Sequence, residues 1–418
     1  MSVRSALNKK IEPELPLDTH PEVRLDFDQA RQAAHGGYDR PFLLVDPTLI
    51  RTKARRFKAA MPRVQPHYAV KANPHPTVLR TLIEEGVSFE IASIAELDLL
   101  LSLGVPAAEI FYSNPMKSRQ YLRHAAQHGV EWFVLDSVEE LRKIVEIKPD
   151  AKLYLRVDAP NAGSDWPLSG KFGAQPKEAE EIIAAAADLK ADLAGVMFHV
   201  GSQCRNVENW HAGIDAGKRA FRKMRLKGLK PRLLNIGGGF PVRYTKPIPS
   251  IEVIGEVVNR ELAGLPDSIR VMAEPGRFLV SDAGCFVCRV VGTATRSGKR
   301  WVYLDAGMFG GIIETTEGLP YEVVTERTGR LIPWTVAGPT CDSVDIIMRD
   351  QLLPEDLQAD DFVYVPNAGA YTTAYASTFN GFPLPHERFV ASALTSFRAE
   401  RRARIPDQKS LLLPGCCP

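Results

Sequence analysis

The sequence predicts a (β/α)8 barrel followed by a β-rich domain, on three observations. Short apolar runs alternate with longer amphipathic segments from about residue 66 to 280. There are eight such units in about 210 residues, the usual size of this barrel. Past residue 280 the long helical segments stop, and short apolar runs are separated by Gly and Pro.

The eight runs are HYAVK (67–71), SFEIAS (88–93), IFYSN (110–114), WFVLDS (132–137), LYLRVD (153–158), GVMFHVGS (195–202), LLNIGGG (233–239) and VMAEPG (271–276). Segments such as AELDLLLSLG and KEAEEIIAAAADL lie between them, with apolar residues at helical spacing. Strands alternating with helices imply a parallel sheet. An open doubly wound sheet is the alternative, and the count of eight favours the barrel. Gly237, Gly238 and Gly239 lack the G-x-G-x-x-G spacing and come late, at strand seven, so a dinucleotide site is not expected. The expected division is a barrel over 42–280 and a β domain over 281–418, with strands at 287–293, 301–304, 331–336 and 362–366. Residues 1–41 are too few to fold alone and are expected to pack with the β domain.

Composition narrows the function. The 418 residues are 45% hydrophobic and 24% charged, with a formal net charge of +2. Nothing global points to nucleic acid or an anionic membrane, and the basic stretch at 218–230 reads as a solvated helix face. The start of the chain is charged and is not expected to be a signal peptide, and no run is as long as a membrane span. Six cysteines in such a chain do not make a disulfide framework, so a reducing cytoplasm is expected. Cys285 and Cys288 fall in a strand-like run and face opposite sides, and no metal set is seen.

In a (β/α)8 barrel, chemistry gathers at the C-terminal strand ends. Those ends carry Lys71, Glu90 and Ser93, Asn114, Asp136, Arg156 and Asp158, His199 and Ser202, the three glycines, and Glu274 with Arg277. A lysine at the mouth can form a Schiff base when partial burial lowers its pKa. Three glycines after a strand suit a phosphate. A carboxylate can pair with a pyridinium nitrogen and keep the ring an electron sink. Lysine, glycine loop and carboxylate together describe pyridoxal phosphate. Taken singly, each feature has an ordinary structural explanation.

The stretches YAVKAN (68–73), FHVGSQ (198–203), NIGGGFP (235–241), AEPGRFLV (273–280), GPTCDSVD (338–345) and GAYTTAYASTFNGF (369–382) carry a resemblance across about residues 40–385. The chain resembles the fold-type III, pyridoxal-phosphate-dependent basic amino acid decarboxylases, which join an alanine-racemase-like barrel to a β domain. DWPLS-KFG (165–173) and FGGIIETTE (309–317) are similar to the bacterial ornithine/lysine branch.

The resemblance implies roles. Lys71 holds the cofactor, His199 stacks on its ring and Glu274 pairs with its nitrogen. Ser202, Gly237, Gly238, Gly239, Arg277 and Tyr371 surround the phosphate, and Glu90 and Arg156 lie around the mouth. Cys341 protonates the carbanion left by carbon dioxide. Asp342 meets the distal amine of the substrate, with Glu317 favoured over Glu314 as a second acid and Tyr371 and Phe379 beside the substrate. The family also implies a head-to-tail homodimer in which Cys341 and Asp342 enter the partner's site, and a cross-subunit ion pair from Lys171 and Asp345. A glutamate at 274, where racemases of this fold have arginine, favours decarboxylation. Asp after Cys341, where diaminopimelate decarboxylases usually have Glu, suits a distal ammonium. Arginine is set aside because arginine decarboxylases of this fold are expected to be much longer. Ornithine, giving putrescine for polyamine synthesis, therefore leads. Lysine, giving cadaverine, is second, and diaminopimelate decarboxylation or a non-catalytic homologue follows.

Overall fold

The computed structural model describes residues 24–168 and 170–390. The N-terminal residues 1–23 and the tail after 390, with Cys416 and Cys417, lie outside them. Contacts divide the chain into two compact units. One comprises 55–70 and 87–278; the other, among the described residues, 24–54, 71–86 and 279–390.

The first unit holds a closed parallel barrel. Its strands are Val64–Ala69, Ser88–Ile91, Ile110–Tyr112, Trp132–Leu135, Lys152–Arg156, Asp192–Met197, Leu233–Asn235 and Arg270–Ala273. All eight expected strands are present, in the expected order. The first does not run on to Lys71: it stops at Ala69, and Val70–Ala72 is a 3-10 turn.

A helix follows each strand, and several start where a polar side chain caps them. Ser93, Ser118, Ser137 and Ser250 accept the N–H of Glu96, Tyr121, Glu140 and Val253. Gln175 and Glu178 form a capping box, with Pro176 in the first turn. Each such cap is worth about 1 kcal/mol. Ser93, expected among the strand-end residues, is therefore spent starting the helix Ile94–Ser102.

Inside the barrel, Phe111, Trp132, Val134, Tyr154, Ala194, Met197, Leu233 and Met272 form one buried cluster. Phe111 stacks on Trp132, with ring centres 5.1 Å apart. His67 joins this interior, edge-on to Phe111 at 4.8 Å. Its Nδ1 lies 3.2 Å from the Gln65 carbonyl and its Nε2 3.1 Å from Arg270 Nη2. A carbonyl only accepts and a guanidinium only donates, so the ring is neutral with its proton on Nδ1. Burial, reinforced by Arg270, pushes the His67 pKa down to about 3.

The second unit is a mixed sheet. Val324–Thr325, Phe362–Pro366, Gly284–Arg296, Lys299–Leu304, Leu331–Ala337 and Ile346–Pro354 lie side by side in that order. Phe42–Val45 pairs with both Gly284–Arg296 and His386–Phe389. That corrects the boundary expected at residue 42. The run Phe42-Leu43-Leu44-Val45 is buried throughout and needs a neighbour on each edge, and it finds both in this sheet. The helix Phe27–His35, capped by Asp26, puts Ala30 and Ala34 against Phe42, Leu44, Cys285, Val287 and Tyr364. Burial pushes the Cys285 thiol up to about 12, which suits a packing residue rather than a nucleophile.

The neutral His67 makes acid stability testable. Its folded pKa of about 3 lies below the ordinary 6.5, so between these values the unfolded chain binds more protons. The His67 contribution is full above about pH 6.5 and is lost as pH falls toward 3. Denaturation midpoints measured from pH 6.5 to 4.5 should fall less steeply in His67→Gln, by about 1.4 kcal/mol per pH unit. Parallel profiles for the two proteins would reject this linkage.

Candidate active site

Strands seven and eight are neighbours, with Asn235 opposite Met272. Their ends therefore set the glycine loop beside Glu274. The Glu274 N–H donates to the Gly237 carbonyl (2.8 Å), and the Cys204 N–H to that of Gly239 (2.9 Å). Gly237 and Gly239 have φ of +67° and +95°, in the left-handed region. A Cβ on Gly237 would fall 2.1 Å from the Phe198 carbonyl oxygen, and one on Gly239 2.2 Å from that of Gly201. At Gly238 it would meet the Glu274 carbonyl oxygen at 2.7 Å and His199 Nε2 at 3.0 Å. Only glycine fits any of the three positions.

His199 Nδ1 accepts the Gly201 N–H at 3.0 Å. The neutral ring thus carries its proton on Nε2, the edge beside Gly238. Glu274 is buried, and its Oε1 accepts from Ser113 Oγ (2.6 Å) and Asn235 Nδ2 (2.7 Å). Arg277 is also buried; its Nη1 donates to Tyr244 Oη (2.9 Å), and its guanidinium lies over Trp166 at 5.3 Å. Trp166 and Ser202 face each other in a small antiparallel pair, Ser164–Trp166 with Ser202–Cys204, which the sequence reading did not anticipate.

Arg156 is buried over Phe172. Burial pushes its pKa down, while Glu274, Asp136, Glu90 and Asp158 oppose that. Glu90 is 1% exposed, so a guanidinium and four carboxylates share this end of the barrel. Lys71 is exposed, in the turn directly after the first strand. That turn is tied to its own unit: the Ala72 carbonyl accepts the Tyr371 N–H (2.8 Å), and Tyr371 is held at φ +56°.

The chemistry of these residues fits pyridoxal phosphate. A glycine cradle closed to any Cβ, with buried Arg277 in the same barrel, suits a phosphate. A buried carboxylate oriented by two donors suits a pyridine nitrogen, and His199 offers a planar face beside the loop.

In the second unit, residues 338–345 connect Leu331–Ala337 to Ile346–Pro354. Asp345 organises this loop. Its Oδ1 accepts the Met308 N–H (2.8 Å), and its Oδ2 accepts from Thr340 Oγ1 (2.7 Å) and N–H (3.2 Å). It is 2% exposed, and its oxygens are taken by this loop and by Met308. Lys171, expected to pair with it across subunits, lies over Phe172 at 5.2 Å. Cys341 is exposed, its Sγ and N–H 3.3 and 3.2 Å from Asn380 Oδ1. Asp342 is half-buried and accepts the Val344 N–H. Phe379 packs on Phe309 with ring centres 4.4 Å apart, lining a cleft with Thr340 and Phe382. Glu314 is buried and accepts from Tyr321 Oη, whereas Glu317 is exposed.

Sequence reasoning missed Ser113, Tyr154 and Asn235. Their signal was faint: each is a polar group in or beside a barrel strand, one or two positions from a residue that was noted. Asp98, His124 and His128 bring ligand atoms within 4.8 Å of one another. There His124 Nε2 already pairs with Asp98, and His128 Nδ1 donates to the His124 carbonyl, as on many helix surfaces. Among the described residues, no helix is long and apolar enough to cross a membrane.

Residues 48–281 match the family model described as the pyridoxal binding domain of pyridoxal-dependent decarboxylases. The ornithine decarboxylase of Schizosaccharomyces pombe is 34% identical over 359 residues, covering 82% of this chain and 81% of the relative. The structure of the lysine/ornithine decarboxylase of Vibrio vulnificus complexed with cadaverine matches with a TM-score of 0.81 and 36% identity, over 88% of this chain and 100% of that one. The arginine decarboxylase of Paramecium bursaria Chlorella virus bound to agmatine also has a TM-score of 0.81, at 29% identity, and 86% of this chain covers all of it. That corrects the exclusion of arginine by length, because this arginine enzyme is no longer than the present chain. The fold, the chemistry of the residues at the barrel mouth and these likenesses agree: the chain belongs to the fold-type III pyridoxal-dependent decarboxylases of basic amino acids.

Proposed function

We propose that this protein decarboxylates L-ornithine to putrescine and carbon dioxide, as a homodimer with shared active sites. The observation that carries the reading is the loop holding Cys341 and Asp342. It presents a thiol and a carboxylate side by side, on a base stiffened by Asp345. A proton donor for a carbon and an anchor for a distal ammonium are what a diamine-forming decarboxylase needs beyond its cofactor site.

Lys71 tethers the cofactor through its amine. The glycine loop, Ser202, Arg277 and Tyr371 bind the phosphate, His199 supports the ring face, and Glu274 pairs with the ring nitrogen. Glu90 and Arg156 shape the mouth. Pyridoxal phosphate, when bound, supplies the sink for the electron pair left by carbon dioxide. Cys341 then returns a proton to that carbon, while Asp342, with Glu317, holds the distal ammonium and Phe379 packs on the carbon chain. Cys341 and Asp342 act in the partner's site. The buried free thiols Cys204, Cys285 and Cys288 fit work in the cytoplasm.

L-Lysine is the second reading, favoured by the cadaverine-bound Vibrio vulnificus neighbour. The two substrates differ by one methylene, worth only about 1–3 kcal/mol in a pocket. A competition assay with ornithine, lysine, arginine and diaminopimelate, scoring carbon dioxide and diamine, decides among them. Ornithine should have the highest kcat/KM, with lysine within about 10–200-fold. Faster turnover of arginine or diaminopimelate would replace the substrate, and no turnover of any of the four would end the reading.

Two variants test the roles and the dimer together. Lys71→Ala should make no diamine. Cys341→Ala should lose about 10²–10⁴-fold in turnover, with less diamine per carbon dioxide released. If each site draws on both subunits, mixing these two inactive proteins should restore about a quarter of wild-type activity, since half the dimers are mixed and each has one intact site. A mixture that stays inactive would argue against shared sites, and an undiminished diamine yield in Cys341→Ala would reassign the acid.

A further inference from the structure

We propose that Ser113 and Tyr154 are positioning residues. With Asn235 they form a donor relay that fixes the Glu274 carboxylate and weakens it as a base, so that a ring nitrogen paired with it keeps its proton. The inference rests on the cofactor reading above and concerns residues to which that reading gives no part.

The directions of the bonds follow from counting protons. Ser113 Oγ lies 2.6 Å from Glu274 Oε1 and 2.6 Å from Tyr154 Oη. A carboxylate accepts only, and serine has one hydroxyl proton. Ser113 therefore donates to Glu274 and accepts from Tyr154. Asn235 Nδ2 donates to the same Oε1 at 2.7 Å. The orientation of its amide is settled by its other end, because Oδ1 accepts the Gly237 N–H at 2.9 Å. One asparagine thus ties the first glycine of the loop to the carboxylate.

Tyr154 and Asn235 are fully buried, and Glu274 and Ser113 are 6% and 8% exposed. Donors to a carboxylate are strong in so dry a setting. Burial, with the Glu274 charge beside it, holds the Tyr154 pKa well above the ordinary tyrosine value, so the relay keeps its outer proton across the working pH range. Each donated bond stabilises the anion and lowers its affinity for a proton. Glu274 can then pair with a protonated nitrogen without removing the proton. Without the relay, the same carboxylate is a stronger base in a looser orientation.

A network that merely satisfies buried polar groups would leave the nitrogen unaffected, and that separates the two explanations. The experiment loads wild type, Ser113→Ala, Ser113→Thr and Tyr154→Phe with pyridoxal phosphate labelled with ¹⁵N in the ring and reads the nitrogen shift by NMR. Wild type should show a protonated nitrogen. Ser113→Ala should move toward the unprotonated position, with about tenfold weaker cofactor binding and a loss falling on kcat rather than KM, the scale of one hydrogen bond to a charged group. Tyr154→Phe should move the same way by less, and Ser113→Thr, which keeps a hydroxyl, should return to wild type. A wild-type shift in both loaded Ser113→Ala and Tyr154→Phe overturns the relay and leaves the cofactor reading intact. Failure of the wild type to take up pyridoxal phosphate overturns both. If Ser113→Ala does not fold or load, the near-isosteric Tyr154→Phe decides alone.

Discussion

The buried carboxylate of Glu274 cross-ties the mouth of the barrel. It follows strand eight, and its Oε1 takes hydrogen bonds from Ser113, just past strand three, and from Asn235, the last residue of strand seven. Tyr154, on strand five, joins through Ser113. Residues on or just past three other strands thus gather around one anion. A buried charge is tolerated only when it is paired or hydrogen-bonded, so the carboxylate and its donors stand or fall together. The same constraint explains the company around it. Arg156 is buried against the acids of this end, and its guanidinium offsets part of their charge.

The glycine loop depends on that tie. Its first N–H is held by Asn235 and its first carbonyl by the Glu274 N–H, so the loop and the carboxylate share both a side chain and a backbone bond. Steric exclusion does the rest, since a Cβ at any of the three positions would strike a carbonyl oxygen. The loop of the second unit is held differently. There a buried carboxylate, Asp345, gathers N–H and O–H donors of its own loop and of Met308, and the reactive-looking residues are left outside. In both units a buried acid organises the backbone beside residues proposed to bind a ligand.

Much of this was legible in advance, for a local reason. A strand followed by an amphipathic helix is written in hydrophobic period, and residues at strand ends lie on one rim once the barrel closes. That placed Glu274, Arg277, His199 and the three glycines together without coordinates. The reading went wrong where partner choice mattered. Phe42–Val45 has the same apolar character as a barrel strand, yet it pairs in the other sheet.

The repeating strand-helix units, the glycine run, the lysine closing the first apolar run and the cysteine–aspartate pair are all written locally, because each is set by neighbours close along the chain. Which sheet takes residues 42–45, that Lys71 sits in a turn past its strand, and that Ser113, Tyr154 and Asn235 surround Glu274 follow from the folded arrangement alone. Ser113 is 161 residues from Glu274 in the chain, and its hydrogen bond exists only after the barrel has closed. Periodicity reports how deeply a residue is buried; it carries no information about which distant polar group will meet it there.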